Sequence, residues 1–198
     1  MKELDEVLTF VSQYVEAKKW IGLDLQEVRE FFKAGTIRKV EKNAYLVTPE
    51  TAVHELYFNH NGIFRYFFKT RKGVEYTKNF VWQPQFFAPT LPDFMVNRPT
   101  SSYCQALTDS KIMVWDAKAI FAKADENPIF YKLFFILLAQ IFQHKDQKEM
   151  DMYEFSAAER YEKFLAEYPG VTNQVPLQYI ASYLDMKPET LSRIRSQF

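Results

Sequence analysis

The side chains best suited to a specific chemical task lie near the C-terminus, on a short segment that begins at Pro188. One face of this segment carries Glu189, Thr190, Ser192, Arg193 and Arg195. An Arg guanidinium can donate two hydrogen bonds to guanine, a Glu carboxylate can accept one from cytosine, and Ser or Thr hydroxyls can contact base edges or phosphates. These residue types fit recognition of a DNA major groove. The alternative is an amphipathic helical hairpin without a special function.

Two short predicted helices position these side chains. The first has apolar residues at helical spacing, which are Leu177, Ile180, Ala181 and Leu184. Residues 185–187 break this pattern, and Pro188 suits the first turn of a new helix because its missing N–H would be unpaired there. Leu191 and Ile194 resume the apolar face. The pattern therefore predicts two packed helices joined by a tight turn.

The segment 180–195 resembles the helix-turn-helix of the Crp/Fnr family of bacterial transcription regulators, whose recognition helix commonly reads ETLSR or ETVSR. The letters ETLSR stand at 189–193. Two positions depart from the family pattern, because Asp185 replaces the usual Gly of the turn and Lys187 stands where an N-capping Ser or Thr is expected. Both departures predict a slightly less stable recognition helix.

The resemblance implies roles for the residues of this helix. Glu189 and Arg193 match the family's two base-reading positions, whereas Pro188 stands where some relatives place a base-reading Arg, so we expect a different sequence preference. The other polar residues are expected to contact phosphates or to support the helix, and these are Thr190, Ser192 and Arg195. In a two-fold dimer, two such helices would enter successive major grooves about 34 Å apart. The implied partners are double-stranded DNA, a second copy of the chain, and RNA polymerase.

The composition is that of a folded protein with balanced charge. Of the 198 residues, 47% are hydrophobic and 17% aromatic, which is ample for a packed core. The 25 basic residues are matched by 25 acidic ones, which is atypical of a protein that wraps nucleic acid without sequence preference. A DNA-binding surface must therefore be local, as around Lys187, Arg193 and Arg195, and we expect modest affinity per subunit.

Signals for export or membrane insertion are not visible in the sequence. The N-terminal segment has acidic residues near its start and no uninterrupted apolar core of the signal-peptide type. The most apolar run, at 129–142, is shorter than the roughly 20 residues that span a bilayer. The single cysteine, Cys104, excludes an intramolecular disulfide. We therefore expect a cytoplasmic protein with no membrane partner.

The order of the predicted elements indicates an α+β fold. Helices are predicted at 3–18 and 24–32, and β-rich runs follow at 37–47, 53–58, 63–68, 74–82, 102–107 and 111–115. The segment 55–82 is predicted to form hairpins whose turns contain Gly62 and Gly73 at positive φ, and the last two runs are predicted to pair. Short strands at roughly ten-residue spacing indicate a β-sandwich, roll or barrel. Their order resembles the eight-stranded β-roll of the cyclic-nucleotide-binding domain that Crp/Fnr regulators carry.

A long helix is predicted from Pro128 to Met152. Residues at alternating three- and four-residue steps form a heptad seam, which contains Phe130, Leu133, Leu137, Gln140 and His144. An adjacent stripe contains Phe134, Leu138 and Ile141. One stripe can cover the β-roll while the other meets a second copy of the chain. The alternative is a helix that is buried in its own domain.

These elements divide the chain into three predicted units. Residues 1–127 hold the N-terminal helices and the β-roll sensor domain, and residues 128–154 hold the dimerisation helix and a hinge near its end. Residues 155–198 hold a winged-helix-like helix-turn-helix domain. This last unit is predicted to begin with a capping box formed by Ser156 and Glu159.

The β-roll lacks the residues expected for cyclic AMP. A cyclic phosphate needs an Arg, free backbone N–H groups and a carboxylate for the ribose, which relatives provide as a Gly-Glu pair and, after a loop, an Arg. Here Ala88 replaces the Gly, Pro89 replaces the Glu, and Thr100 fills the Arg position, with Arg98 two residues earlier. The candidate pocket residues are Phe87, Ala88, Arg98, Thr100 and Ser101. We expect another small-molecule effector or none.

Enzymatic chemistry has little support in the sequence. The three histidines, His54, His60 and His144, show no spacing typical of metal ligands. Cys104 lies in an apolar strand and is expected to be a buried small hydrophobe. No glycine-rich phosphate loop and no Ser-His-Asp set is visible, so we expect no enzyme, no cofactor and no metal. The competing class of function is a ligand-sensing β-roll scaffold whose C-terminal helices only dimerise.

Overall fold

The computed structural model describes residues 2–17, 24–50, 54–90, 93, 95 and 98–196. Its helices are α1 (Lys2–Ala17), α2 (Leu25–Phe32), α3 (Ala117–Glu126), α4 (Ile129–Glu154), α5 (Ala157–Glu167), α6 (Leu177–Tyr183) and α7 (Pro188–Arg195). Its strands are β1 (Thr36–Val40), β2 (Tyr45–Val47), β3 (Glu55–Asn61), β4 (Phe64–Lys69), β5 (Glu75–Val81), β6 (Gln85–Phe87), β7 (Tyr103–Ala106) and β8 (Ser110–Asp116). Helices therefore flank a central run of strands, as the sequence predicts.

The eight strands form two antiparallel sheets that share one core. Each sheet has four strands, in the orders β1-β8-β3-β6 and β2-β7-β4-β5. Side chains from both sheets meet between them, among them Tyr57, Phe64, Phe87, Cys104 and Ile112, all of which are buried. Aromatic and β-branched residues suit this pleated, enclosed surface. The predicted eight-stranded β-roll is confirmed.

Strand pairing differs from the hairpins that the sequence predicts. β3 and β4 lie in different sheets, as do β7 and β8, so the turns between them carry the chain across the core. Asn43, at φ 71°, separates β1 from β2, which the sequence predicts as one strand. Of the described strands, only β4 and β5 form a hairpin, with Lys69 opposite Glu75. Turn residues specify a local reversal, whereas packing between the sheets decides the partner strand.

Gly62 is required where the chain crosses between the two sheets. Its φ of 104° belongs to the region that favours glycine, and a Cβ at this position would overlap the side chain of Ser110. Gly73, at φ 79°, turns the loop between β4 and β5. The predicted positive φ is confirmed at both glycines.

Helices α1, α2 and α4 cover the outer face of the first sheet. Phe31 of α2 stacks on Phe130 of α4 with ring centroids 3.8 Å apart. The indole N–H of Trp115, in β8, donates to the carbonyl oxygen of Phe32 at 2.9 Å. The N-terminal part of α4 therefore belongs to the core of its own chain.

This packing corrects the predicted dimer seam of α4. Phe130 is 3% exposed and Leu133 is 0% exposed, so neither can contact a second copy. Leu137 is half-buried against the same core. The large apolar residues that α4 exposes form a different stripe, which contains Phe135, Leu138, Ile141 and Phe142. The seam was wrong at its N-terminal end because a heptad pattern does not reveal which apolar stripe the β-roll covers.

The C-terminal helices share a hydrophobic core with the β-roll. This core combines Ile63, Phe80 and Leu107 with residues of the C-terminal segment, which include Tyr161, Phe164, Tyr168, Ile180, Tyr183, Leu191 and Ile194. The predicted capping box of Ser156 and Glu159 is present at the start of α5. No strand occurs at 117–196, all of which is described, so the predicted wing has no counterpart there.

Candidate nucleic-acid interface

Backbone geometry fixes the turn between α6 and α7. Asp185, just after α6, adopts the left-handed conformation with φ 51°, for which Gly is the usual residue. The N–H of Met186 donates to the carbonyl oxygen of Ala181 at 3.0 Å and closes the end of α6. Lys187 precedes α7 without a side-chain cap, and Pro188 takes the first position of the helix. Asp185 therefore takes the turn position at which the family usually has Gly, and the absence of a cap at Lys187 agrees with the sequence.

The exposed surface of α7 is polar and its inner face is apolar. Leu191 is 0% exposed and Ile194 is 8% exposed. The predicted DNA-contacting residues lie outside this core: Pro188, Glu189, Ser192, Arg193 and Arg195 are exposed, and Thr190 is half-buried. Neither Arg193 nor Arg195 forms an ion pair with another residue that the structure describes. Both guanidinium groups are therefore available to an external partner.

Hydrogen bonds attach α6 to the edge strand β5. The hydroxyl of Ser182 accepts a hydrogen bond from the N–H of Thr77 at 2.9 Å. The same hydroxyl donates to the carbonyl oxygen of Glu75 at 3.0 Å. At this edge a helical side chain takes the place of a neighbouring strand. The helix-turn-helix consequently has a defined position on the β-roll.

Arg65, in β4, strengthens the same attachment. Its side chain is 1% exposed and lies between the rings of Phe67, at 3.8 Å, and Tyr179, at 3.5 Å. Its Nη2 donates to the Glu75 carboxylate at 2.6 Å. A desolvated guanidinium between two rings is a favourable contact. Arg65 was not predicted as a buried residue, because a charged residue between aromatic residues of a strand predicts a solvent-facing side chain.

Several solved structures are similar to this chain. A protein assigned as a transcriptional regulator of the Crp/Fnr family, from Eubacterium rectale, superposes with a TM-score of 0.70 at 14% identity, over 90% of this chain and 85% of its own. FixK2 from Bradyrhizobium japonicum gives a TM-score of 0.70 at 16% identity, over 83% and 84%. The c-di-GMP-responsive global regulator CLP from Xanthomonas campestris gives 0.67 at 11% identity, over 88% and 91%. This chain has the Crp/Fnr fold.

The likeness to Crp/Fnr structures is one of fold. No family model and no curated protein matches the sequence. The Crp/Fnr fold combines an N-terminal β-roll with a C-terminal helical domain, and this chain has both, as β1–β8 and α5–α7. The resemblance seen in the sequence at 180–195 therefore lies in the part of the fold where the structure places two packed helices.

Two of the five candidate ligand residues of the β-roll lie at one groove. Phe87 and Ala88 line a groove between the β-roll and α4. The other three, Arg98, Thr100 and Ser101, do not line it. Arg98 pairs with the carboxylate of Asp93 at 2.9 Å, and its side chain is 68% exposed. Phe87 and Ala88 are therefore the candidates at this groove, and the pocket of five residues stays a prediction.

The groove beside α4 has a volume of about 540 Å³ and is largely apolar. Its walls contain the aromatic residues Phe10, Phe86, Phe87, Phe121, Tyr131, Phe134 and Phe135. Gln140 and His144, from the predicted seam, lie at the same groove. Among the described residues that line it, none is Arg, Lys, Asp or Glu, so the groove suits a neutral molecule better than a cyclic phosphate.

His144 contacts α5 and the residue that follows it. Its Nδ1 lies 3.2 Å from the carboxylate of Glu167, and its Nε2 lies 3.3 Å from the hydroxyl of Tyr168. The Tyr168 hydroxyl also donates to the side-chain oxygen of Asn79, in β5, at 3.1 Å. His144 therefore joins the long helix to both the β-roll and the C-terminal helices, and its place in a dimer seam stays a prediction.

Lys148 is half-buried where α4 passes the C-terminal helices. Its Nζ lies 3.7 Å from the Tyr183 ring centroid and donates to the carbonyl oxygen of Lys78 at 3.0 Å. Burial lowers the pKa of Lys148 to about 8, against smaller opposing effects of Glu167 and Asp185. A lysine with a lowered folded pKa binds fewer protons than it does in the unfolded chain. The contribution of Lys148 to stability should therefore rise with pH between about 8 and about 10.4, the unperturbed lysine pKa.

The predicted burial of Cys104 is confirmed. The thiol lies in β7 within the β-roll core, and burial raises its pKa well above the ordinary cysteine value. Within the described ranges, no three His, Cys, Asp or Glu side chains lie close enough together to hold a metal ion. None of the described helices combines the length and the apolar character that a membrane crossing requires.

Proposed function

We propose that this chain is a DNA-binding transcription regulator of the Crp/Fnr type, which acts as a homodimer in the cytoplasm. The observation that carries the proposal is α7, in which Leu191 and Ile194 are buried while Glu189, Arg193 and Arg195 are exposed. A helix held in this way can enter a major groove with its guanidinium groups towards the DNA. RNA polymerase is the further protein partner that we propose.

Each polar residue of α7 has a proposed role. Glu189 and Arg193 read bases, because a carboxylate can accept from cytosine and a guanidinium can form two hydrogen bonds to guanine. Three others contact phosphates or support the helix, and these are Thr190, Ser192 and Arg195. Pro188 begins the helix and donates no hydrogen bond from its backbone nitrogen. Base selection therefore depends on two side chains per subunit.

The proposed dimer contact is the exposed stripe of α4. Its residues, Phe135, Leu138, Ile141 and Phe142, are between 47% and 69% exposed. The first three also line the groove, so a second copy that packs on the stripe would cover one side of it. An exposed apolar stripe of this kind is typical of an interaction site, and steps of three and four residues are those of a helix pair. A two-fold pair of chains would present two α7 helices to successive major grooves about 34 Å apart.

The proposed effector is a neutral, largely apolar small molecule in the groove beside α4. The lining of that groove supplies aromatic surface and neutral polar groups, and it holds no Arg or Lys among the described residues. Cyclic AMP would leave its phosphate without a counter-charge there. Isothermal titration with cyclic AMP should therefore give no binding, whereas saturable binding would contradict this part of the proposal.

Selection from a random duplex library tests the proposed function. The full-length protein should enrich an inverted repeat, and Arg193→Ala should lose the preference at one base pair of each half-site. The expected loss is about 1–3 kcal/mol per base pair, which is about 5- to 150-fold in affinity. Lys118→Ala is the matched control, because Lys118 is exposed on α3 and is assigned no role. It should enrich the same repeat as the wild type.

The competing class of function predicts a different result. If the C-terminal helices only dimerise, a folded and dimeric protein should enrich no sequence, with or without Arg193. The protein would then bind all duplex sequences with similar affinity, or bind none, at every salt concentration. That outcome would favour a ligand-sensing scaffold over a regulator.

A further inference from the structure

The loop between β4 and β5 carries a cluster of exposed cations. Lys69, Arg71 and Lys72 lie at this tip and are exposed, and Lys78 is exposed further along β5. Lys69 pairs with Glu75 at 3.3 Å. Neither Arg71 nor Lys72 forms an ion pair with a residue in the described part of the chain. In a protein whose formal net charge is zero, this loop is a local positive surface.

The tip lies beside the start of α7. A single cleft of about 550 Å³ is lined by Val74, Glu75 and Tyr76 from the hairpin. Its other wall includes Met186, Lys187 and Pro188, at the beginning of α7. Arg71 is three residues from Val74, so its Cα lies within about 12 Å of this cleft wall. The cations of the loop and those of α7 therefore belong to neighbouring parts of the surface.

The hairpin and the helix-turn-helix are held together at this place. Ser182 bonds to the backbone of β5, and Arg65 of β4 stacks on Tyr179 of α6. The only carboxylate of the hairpin, on Glu75, is already occupied by Arg65 and Lys69. When α7 binds a duplex, Arg71 and Lys72 would consequently lie close to the same duplex.

We propose that the β4–β5 loop is a second DNA contact, in which Arg71 and Lys72 bind phosphates beside the base pairs that α7 reads. The proposal rests on the proposed DNA-binding function and extends its footprint. Duplex DNA carries one negative charge per about 1.7 Å of its axis, so phosphates are present at any site that flanks the recognition helix. Contacts of this type position the protein and add affinity without selecting a sequence.

The salt dependence of DNA affinity tests this proposal. Affinity for the selected repeat is measured between 50 and 200 mM salt for the wild type and for the double variant Arg71→Ala/Lys72→Ala. Removal of two phosphate contacts per subunit, hence four per dimer, should reduce the magnitude of the log–log slope by about 3.6. The selected sequence should stay the same. The charge-retaining variant Arg71→Lys/Lys72→Arg should keep the wild-type slope, and so should Lys118→Ala.

The possible outcomes distinguish failure of the loop contact from failure of the proposed DNA-binding function. If the wild type selects a repeat and the double variant has the same slope, the loop contact is overturned while the regulator stands. If the double variant loses the sequence preference together with the slope, the loop reads bases and the assignment to phosphates is wrong. If the wild type selects no sequence, both the function and the contact fail. Because both residues are exposed in a loop, circular dichroism of the double variant should match the wild type.

Discussion

Ser182→Ala should loosen the helix-turn-helix from the β-roll without changing any residue assigned to DNA. The hydroxyl is the partner of the Thr77 N–H and of the Glu75 carbonyl oxygen. Thr77 is 4% exposed, so its N–H would lose a partner without gaining water. A buried donor left unpaired costs about 1–3 kcal/mol, whereas the half-buried Glu75 carbonyl can bind water instead. We therefore expect about 2 kcal/mol of destabilisation at this attachment.

Hydrogen exchange at the Thr77 amide measures this change directly. A difference of about 2 kcal/mol is about 30-fold in an equilibrium constant, so the protection of this amide should fall by about that factor. Because α6 also loses a tether, DNA affinity should fall while the selected sequence stays the same.

Ser12→Ala is the matched control for the loss of a serine hydroxyl. Among the described residues, the Ser12 hydroxyl bonds to the carbonyl oxygen of Thr9 alone, within α1, and its replacement should change stability by less than about 0.5 kcal/mol. Equal protection of Thr77 in Ser182→Ala and in the wild type would refute the reasoning. The attachment would then depend on Arg65 and the shared apolar core.

Three further outcomes are expected. Ile141→Asp should convert the dimer to a monomer in sedimentation, because it places a charge in the exposed apolar stripe of α4. Gln143→Asp, on the same helix, should leave the dimer intact. An Ile141→Asp protein that stays dimeric would contradict the proposed contact. Leu133→Ala should lower the free energy of urea unfolding by about 3–5 kcal/mol, since Leu133 is 0% exposed. If the variant is monomeric and as stable as the wild type, Leu133 belongs to the dimer seam after all. Relative to Lys148→Met, the unfolding free energy of the wild type should rise by about 2 kcal/mol from pH 8 to pH 10. The comparison with this variant is needed because the raised pKa of buried Cys104 acts in the opposite direction in both proteins, and a difference that does not change with pH would show that Lys148 has no such effect.

Features that depend on neighbouring residues in sequence were predictable. The capping box of Ser156 and Glu159, the positive φ of Gly62 and Gly73, and the left-handed Asp185 all follow from local backbone chemistry. The two helices at 177–195 were equally accessible, because their apolar spacing, turn and Pro188 lie within a single short segment. The eight-stranded roll was predicted from the number and spacing of the strands together with the family resemblance.

Features that depend on distant partners were not predictable. The turn at Gly62 has the residues of a hairpin, yet β3 and β4 enter different sheets because the core between the sheets decides their partners. The apolar stripes of α4 were equivalent in the sequence, and only the position of the β-roll shows that Phe130 and Leu133 are internal. The burial of Arg65 could not be predicted for the same reason, since its partners Glu75 and Tyr179 come from a neighbouring strand and a distant helix.

The burial of Cys104 turns the unmodified protein into its own sensor of ligand binding. It is the single thiol of the chain, and β7 lies between β2 and β4, so a thiol reagent can reach it only after the roll opens. When opening is fast and reversible, the labelling rate is proportional to the open fraction. A compound that binds the closed roll at 100 times its dissociation constant should slow labelling about 100-fold. Candidate effectors can therefore be ranked by the colour change of a thiol reagent, before the operator sequence is known.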